Sequence, residues 1–146
     1  MSASASARVR VTTASDIYVG KQGFSYRAGV SAETMGTERV CMNVLPMPPE
    51  ARAKAHYHRG IETIAYLLEG RCAVYFGDQL EQRADMKSGE MIFIPADVPH
   101  VPCNDSGAHC TWIVVHSSGS DQDGIVLLPG LDTVLAAKLA KSHTIA

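Results

Sequence analysis

Glycines and prolines interrupt this chain every ~8–12 residues, and the apolar runs between them are too short for helices. Such punctuation leaves room for strands but not for long helices, so it points to an all-β fold. The runs are Phe24–Arg27, Arg39–Met47, Ala53–His58, Thr63–Leu68, Arg71–Phe76, Gln79–Met86, Met91–Ile94, Cys110–His116 and Ile125–Leu128. In Trp112-Ile113-Val114-Val115 both faces are apolar, as in a sandwich or barrel wall covered from outside. Gln79–Arg83 is polar and reads as an edge or solvent-facing strand, with Gly77-Asp78 before it as a tight hairpin connection. Only the tail reads as helical: Asp132 can cap it, and Leu131, Val134, Leu135 and Leu139 recur near helical spacing. The expected organisation is a flexible arm over 1–12, a β domain over 13–131 and a helical tail over 132–146.

With 146 residues, 46% of them hydrophobic and 19% charged, the chain has the size and composition of one globular domain. Thirteen basic residues against fifteen acidic ones give a net charge of −2 and no basic stripe, which argues against a nucleic-acid partner. No apolar run approaches the ~20 residues a membrane-spanning helix needs. The first residues lack the apolar stretch of a secretory signal, and Cys41, Cys72, Cys103 and Cys110 form no CxxC pair. A cytoplasmic protein with reduced, buried thiols is the expectation. Met35, Met42, Met47 and Met91 read as core fillers.

The chemistry rests in the histidines. His56-Tyr57-His58 places two imidazoles on one face of a strand, and Glu62 follows past a turn at Arg59-Gly60. A second segment, Gly89 to Asn104, reads as a buried strand, a proline turn and a third histidine, His100, on the next strand. Alone, an HxH pair is a weak signal, since strand histidines are usually exposed or satisfied in a core. Together, His56, His58, Glu62 and His100 are candidate ligands for one divalent transition metal per chain, Zn, Fe, Mn or Ni. Tyr57 falls on the opposite face, and Cys103, three residues past His100, faces away. His116 shares parity with Trp112 and Val114, which permits a place on a cavity wall, although a surface or structural role is the simpler reading. His109 reads as a loop residue and His143 as part of a solvated tail. Lys54 and Arg59 could steer an anion, but charges of this kind are usually only solvated.

His56-x-His58-x3-Glu62-x7-Gly70 and Gly89-x5-Pro95-x-Asp97-x2-His100-x3-Asn104 resemble the two signature motifs of the cupin superfamily. Two departures stand out. Asp97 occupies a position where cupins prefer glycine, and Asp is among the few residues that tolerate positive φ. Seven residues rather than six separate Glu62 from Gly70. Counting forward from His58 makes Glu62 the ligand, whereas counting back from Gly70 along an unbroken strand makes it Thr63. Threonine is a poor ligand for these ions, so the expectation is Glu62 pointing inward, with a bulge between Thr63 and Leu68. Further pieces, Gly20-Lys-Gln-Gly23, Ala51–His56, Ile94-Pro95-Ala96 and Val126–Asp132, resemble small single-domain RmlC-like cupins.

The resemblance implies a double-stranded β-helix, the cupin jelly-roll barrel, with a metal at its centre and a short C-terminal helix. It also implies a homodimer, for which a sheet face is the expected interface, with residues 8–30 helping to cover it. The leading functional expectation is a metal-dependent enzyme acting on a small-molecule substrate inside the barrel, as a dioxygenase-type oxidoreductase. Zinc-dependent N–N bond formation in natural-product biosynthesis and a non-catalytic metal- or ligand-binding role are the alternatives. Beyond the ligands, no catalytic residue is assigned.

Overall fold

Short strands with alternating burial close into two facing antiparallel sheets in the computed structural model, which describes residues 7–144. In chain order the elements are β1 (Asp16–Val19), β2 (Ser25–Val30), α1 (Ala32–Met35), β3 (Cys41–Met47), β4 (His56–His58), β5 (Thr63–Glu69) and β6 (Arg71–Phe76). They continue with β7 (Gln82–Lys87), β8 (Met91–Ile94), β9 (His100–Cys103), β10 (Cys110–His116), β11 (Ile125–Leu127) and α2 (Pro129–Thr144). One sheet runs β1-β2-β3-β10-β5-β8 and the other β11-β4-β9-β6-β7. This is the expected all-β barrel with a C-terminal helix.

Period-2 alternation explains the core. Trp112 lies opposite Leu45 on one neighbouring strand and Leu67 on the other, and all three are buried. Val74 and Val101 of the second sheet complete the same cluster. α2 docks through Leu135, which is almost fully buried, flanked one turn away on each side by the partly buried Leu131 and Leu139.

Several expectations are corrected. Asp132 does not cap the helix, which already begins at Pro129; its Oδ1 instead accepts from the Ala55 amide at 2.7 Å and ties α2 to the segment leading into β4. Gly77-Asp78 is not a two-residue hairpin turn. Phe76 pairs with Gln82, so the loop has five residues, with Leu80 at φ 54° wholly buried in the core cluster. β7 is an edge strand, as its polarity implied. Met47 is a core residue, but Met42 and Met91 are exposed on the outer face of the six-stranded sheet. All four cysteines are buried and free. Of the arm expected over 1–12, residues 1–6 lie outside the described residues, and 7–12 carry neither helix nor strand. The side chain of His143 also lies outside them. No helix among the described residues is long and apolar enough to cross a membrane.

Candidate metal centre

Strand register assembles the histidines. β4 pairs with β9 so that His56 lies directly opposite His100, and His58 sits two residues on, on the same inner face. The ring centroids are 4.3 Å apart for His56–His100, 5.1 Å for His56–His58 and 5.5 Å for His58–His100. One nitrogen from each ring lies within 4.8 Å of the others, and all three residues are buried. Their separation in sequence is bridged only by the fold.

The tautomers follow from the partners. His56 Nδ1 contacts the Lys54 carbonyl at 2.7 Å, and His100 Nδ1 contacts the Val98 carbonyl at 2.9 Å. A carbonyl only accepts, so each Nδ1 carries the proton and each Nε2 keeps its lone pair. His58 has no such tether: its Nδ1 is buried without a hydrogen-bond partner among the described residues. Burial pushes His56 down to about 4, and His58 and His100 down to about 3, so all three imidazoles are neutral at pH 7. Neutral imidazole is the form that binds a divalent ion. The donor set therefore fits a divalent transition metal.

Glu62 does not join them. The β5–β10 ladder continues past Thr63 without a break: Glu62 N–H donates to Ser117 Oγ at 2.9 Å, and Ser117 N–H donates to the Glu62 carbonyl at 3.0 Å. With Leu67, Ala65 and Thr63 turned inward, strict alternation turns Glu62 out to solvent, where it is exposed. The register irregularity falls at the far end of the strand, where Leu68 is skipped between Leu67 and Glu69. It comes too late to swing Glu62 inward. Solvation of the exposed carboxylate makes the outward position inexpensive.

Thr63 takes the inward position. Its Oγ1 lies 2.7 Å from His116 Nδ1, and the His116 ring sits 4.6 Å from that of His58. His116 is buried beside the three-histidine cluster, so it is not a surface residue. Burial holds it at about 4. Tyr57 and Cys103 stay outside the cluster, as strand parity requires. Asp97 adopts φ 68°, the left-handed conformation expected of a glycine substitute. Its N–H donates to the His58 carbonyl at 3.0 Å, and its Oδ1 accepts from Gly60 N–H at 2.9 Å, so it joins the two histidine segments.

The cluster opens into a cavity of ≈ 50 Å³, room for roughly three to five water-sized groups. Leu45, Val74, Ile92, Trp112 and Val114 make most of its wall apolar. Gln22 and Tyr26 also line it, and neither was singled out from the sequence. The one signal for Gln22 was its place in the Gly20-Lys-Gln-Gly23 segment.

The barrel resembles several solved structures. Polyketide cyclase RemF from Streptomyces resistomycificus superposes with a TM-score of 0.62 at 23% identity, over 75% of this chain and 79% of that one. An uncharacterized conserved protein with a double-stranded β-helix domain from Klebsiella pneumoniae subsp. pneumoniae gives 0.65 at 13% identity, over 84% and 93%. An oxalate decarboxylase of B. subtilis gives 0.66 at 19% identity, over 84% of this chain but 34% of that one. At these identities the likeness is one of fold. No curated protein matches the chain by sequence. The cupin domain profile, however, matches residues 43–116, about half of the sequence and both histidine segments, and the chain belongs to the cupin family.

Proposed function

We propose that the chain is a metal-dependent enzyme acting on a small molecule inside the barrel, with oxidation by dioxygen as its reaction. One observation carries this reading: three neutral imidazoles come together in the barrel while Glu62, the carboxylate expected beside them, is exposed to solvent. An ion preferring six-fold geometry and held by three protein ligands keeps about three open positions, enough for a two-point substrate and dioxygen together. The bound metal would supply Lewis acidity and, if it is iron, electron transfer. The protein's own part is to hold the ring nitrogens. The Lys54 and Val98 carbonyls fix the His56 and His100 rings, and the Thr63–His116 pair backs His58. The apolar wall excludes bulk water from the reacting centre.

A redox-neutral reaction is the second reading, supported by the polyketide cyclase among the similar barrels. The zinc-dependent N–N bond-forming and purely ligand-holding alternatives draw on no particular feature of this site. Elemental analysis of protein purified without added metal, paired with oxygen-uptake assays on small oxygenated compounds, separates the readings. Bound iron with uptake that disappears in His58→Ala is the expected result. Zinc with turnover but no oxygen uptake would replace the oxidative reading with the redox-neutral one.

A further inference from the structure

We infer that Gln22 is a substrate-binding residue whose side-chain amide donates a hydrogen bond to an oxygen of a compact anion held at the three-histidine centre. The inference rests on the metal reading above and names the class of ligand it takes.

The orientation of the Gln22 amide follows from its neighbours. Lys21 N–H donates to the Gln122 side chain at 2.8 Å, so the atom it meets must be Oε1 and the other must be the amide nitrogen. Gln122 Nε2 then donates to Asp121 Oδ2 at 3.1 Å and to Gln22 at 3.3 Å. The same Asp121 oxygen is anchored by the Tyr18 hydroxyl at 2.6 Å. Since Gln122 arrives as a donor, the Gln22 atom facing it is Oε1, and the Gln22 Nε2 hydrogens point elsewhere. Among the described residues the one hydrogen bond seen at this amide is that from Gln122 to its oxygen, and Gln22 is only 2% exposed. Gln22 lines the cavity together with His56, His58 and His100, and we assign the Nε2 hydrogens to that space.

Two further features build Gln22 into this wall. Its backbone carbonyl accepts from Lys54 N–H at 2.8 Å, and the Lys54 carbonyl is the group that fixes His56 Nδ1. Gly20 lies against it so closely that an added Cβ would come within 2.7 Å of Gln22 Oε1, 2.8 Å of Tyr26 Cε1 and 3.0 Å of Gln122 Nε2. A side chain there would displace the amide.

Charge and volume set the ligand's class. A divalent ion held by three neutral imidazoles keeps its full double charge, and among the described residues no acidic side chain lines the cavity to offset it. The missing negative charge must come with the ligand. A fixed N–H donor selects an acceptor oxygen, and ≈ 50 Å³ admits only a few non-hydrogen atoms beside the ion. A short carboxylate meets all three requirements, with one oxygen toward the ion and the other toward Gln22.

The test uses the full chain loaded with Co(II), with cobalt affinity measured first and acetate and its neutral isostere acetamide then titrated by calorimetry. Acetate should bind the wild type more tightly than acetamide does. Gln22→Met should weaken acetate about tenfold or more while leaving cobalt affinity within about twofold. Gln122→Leu, which keeps Gln22 but frees its amide to turn, should give a smaller loss in the same direction. Equal acetate affinity in cobalt-loaded wild type and Gln22→Met would overturn the inference, as would a preference for acetamide. Failure of the wild type to bind cobalt would instead bring down the metal reading on which it stands.

Discussion

Replacing Asp97 probes how the two histidine segments are held in register. This exposed residue combines a left-handed backbone at φ 68° with a side-chain bond to Gly60 N–H and a backbone bond to the His58 carbonyl. Asp97→Asn keeps the acceptor and tolerates the conformation, so it should cost less than about 0.5 kcal/mol. Asp97→Gly accepts the conformation but loses the bond and gains freedom in the unfolded chain, for a cost of about 1 kcal/mol. Asp97→Ala loses the same bond and places a Cβ with no compensating side chain in the left-handed region, adding about 1 kcal/mol more, or about 2 in total. For a chain of this length each kcal/mol corresponds to roughly 2–4 °C, so calorimetry on metal-free protein should show alanine lowest by about 4–8 °C and glycine about half as far down. If alanine melts no lower than glycine, positive φ is not what favours aspartate there. If asparagine falls as far as alanine, the charge rather than the hydrogen bond is what matters.

Four buried histidines should make the metal-free protein acid-sensitive. Their folded pKa values, about 3 to 4, lie below the ordinary 6.5, so their contribution is intact above pH 6.5 and declines as pH falls toward 4, by up to about 1.4 kcal/mol per unit for each ring. Urea denaturation at stepped pH reads this directly, and a flat profile from pH 7 to 5 would contradict it. Glu62→Gln should leave metal affinity within about twofold in a competition titration, since the carboxylate faces solvent; a tenfold loss would return it to the ligand set. Thr63→Val strands the buried His116 Nδ1 and should cost about 1–3 kcal/mol in the same denaturation assay, whereas an unchanged midpoint would deny the bond its value. On the outer sheet face Ile64 lies opposite Phe93, exposed Met91 sits two residues from Phe93 on β8, and exposed Met42 lies opposite Val115 of β10, which in turn lies opposite Ile64; we propose that a second copy covers this apolar stripe. Light scattering at micromolar concentration should report about 31 kDa, twice the 15.6 kDa chain, falling to one chain in Ile64→Asp/Phe93→Asp, and a monomeric wild type would refute it.

The sequence was most readable where a strand is apolar and its ends are marked. Arg71–Phe76, Met91–Ile94 and Cys110–His116 have the expected boundaries, because glycines, prolines or polar turns stop them. β1 went unread because Asp16-Ile-Tyr-Val19 is short and largely exposed, and its order comes from pairing with β2 rather than from local pattern. α1 is a single turn held by its ends: Ser31 and Thr34 form a capping box and Gly36 ends the helix in the left-handed region. The three histidines were legible from parity and spacing. That Glu62 stands outside them was not, because whether Glu62 or Thr63 turns inward depends on where one strand irregularity falls, and hydrogen bonding to Ser117 decides it. For Gln22 the sequence showed only its place in the Gly20–Gly23 segment, since the orientation of its amide is set by Gln122, a hundred residues away in sequence.

The metal centre itself is tested most directly by counting ions. Purified chain, stripped with chelator and reloaded with a single divalent transition metal, should hold one ion per chain by elemental analysis after desalting. The His58→Ala/His100→Ala double variant, shown to be folded by circular dichroism, should hold none. An ion retained by that variant at the wild-type ratio, or a wild type that retains none, would contradict a centre built from His56, His58 and His100.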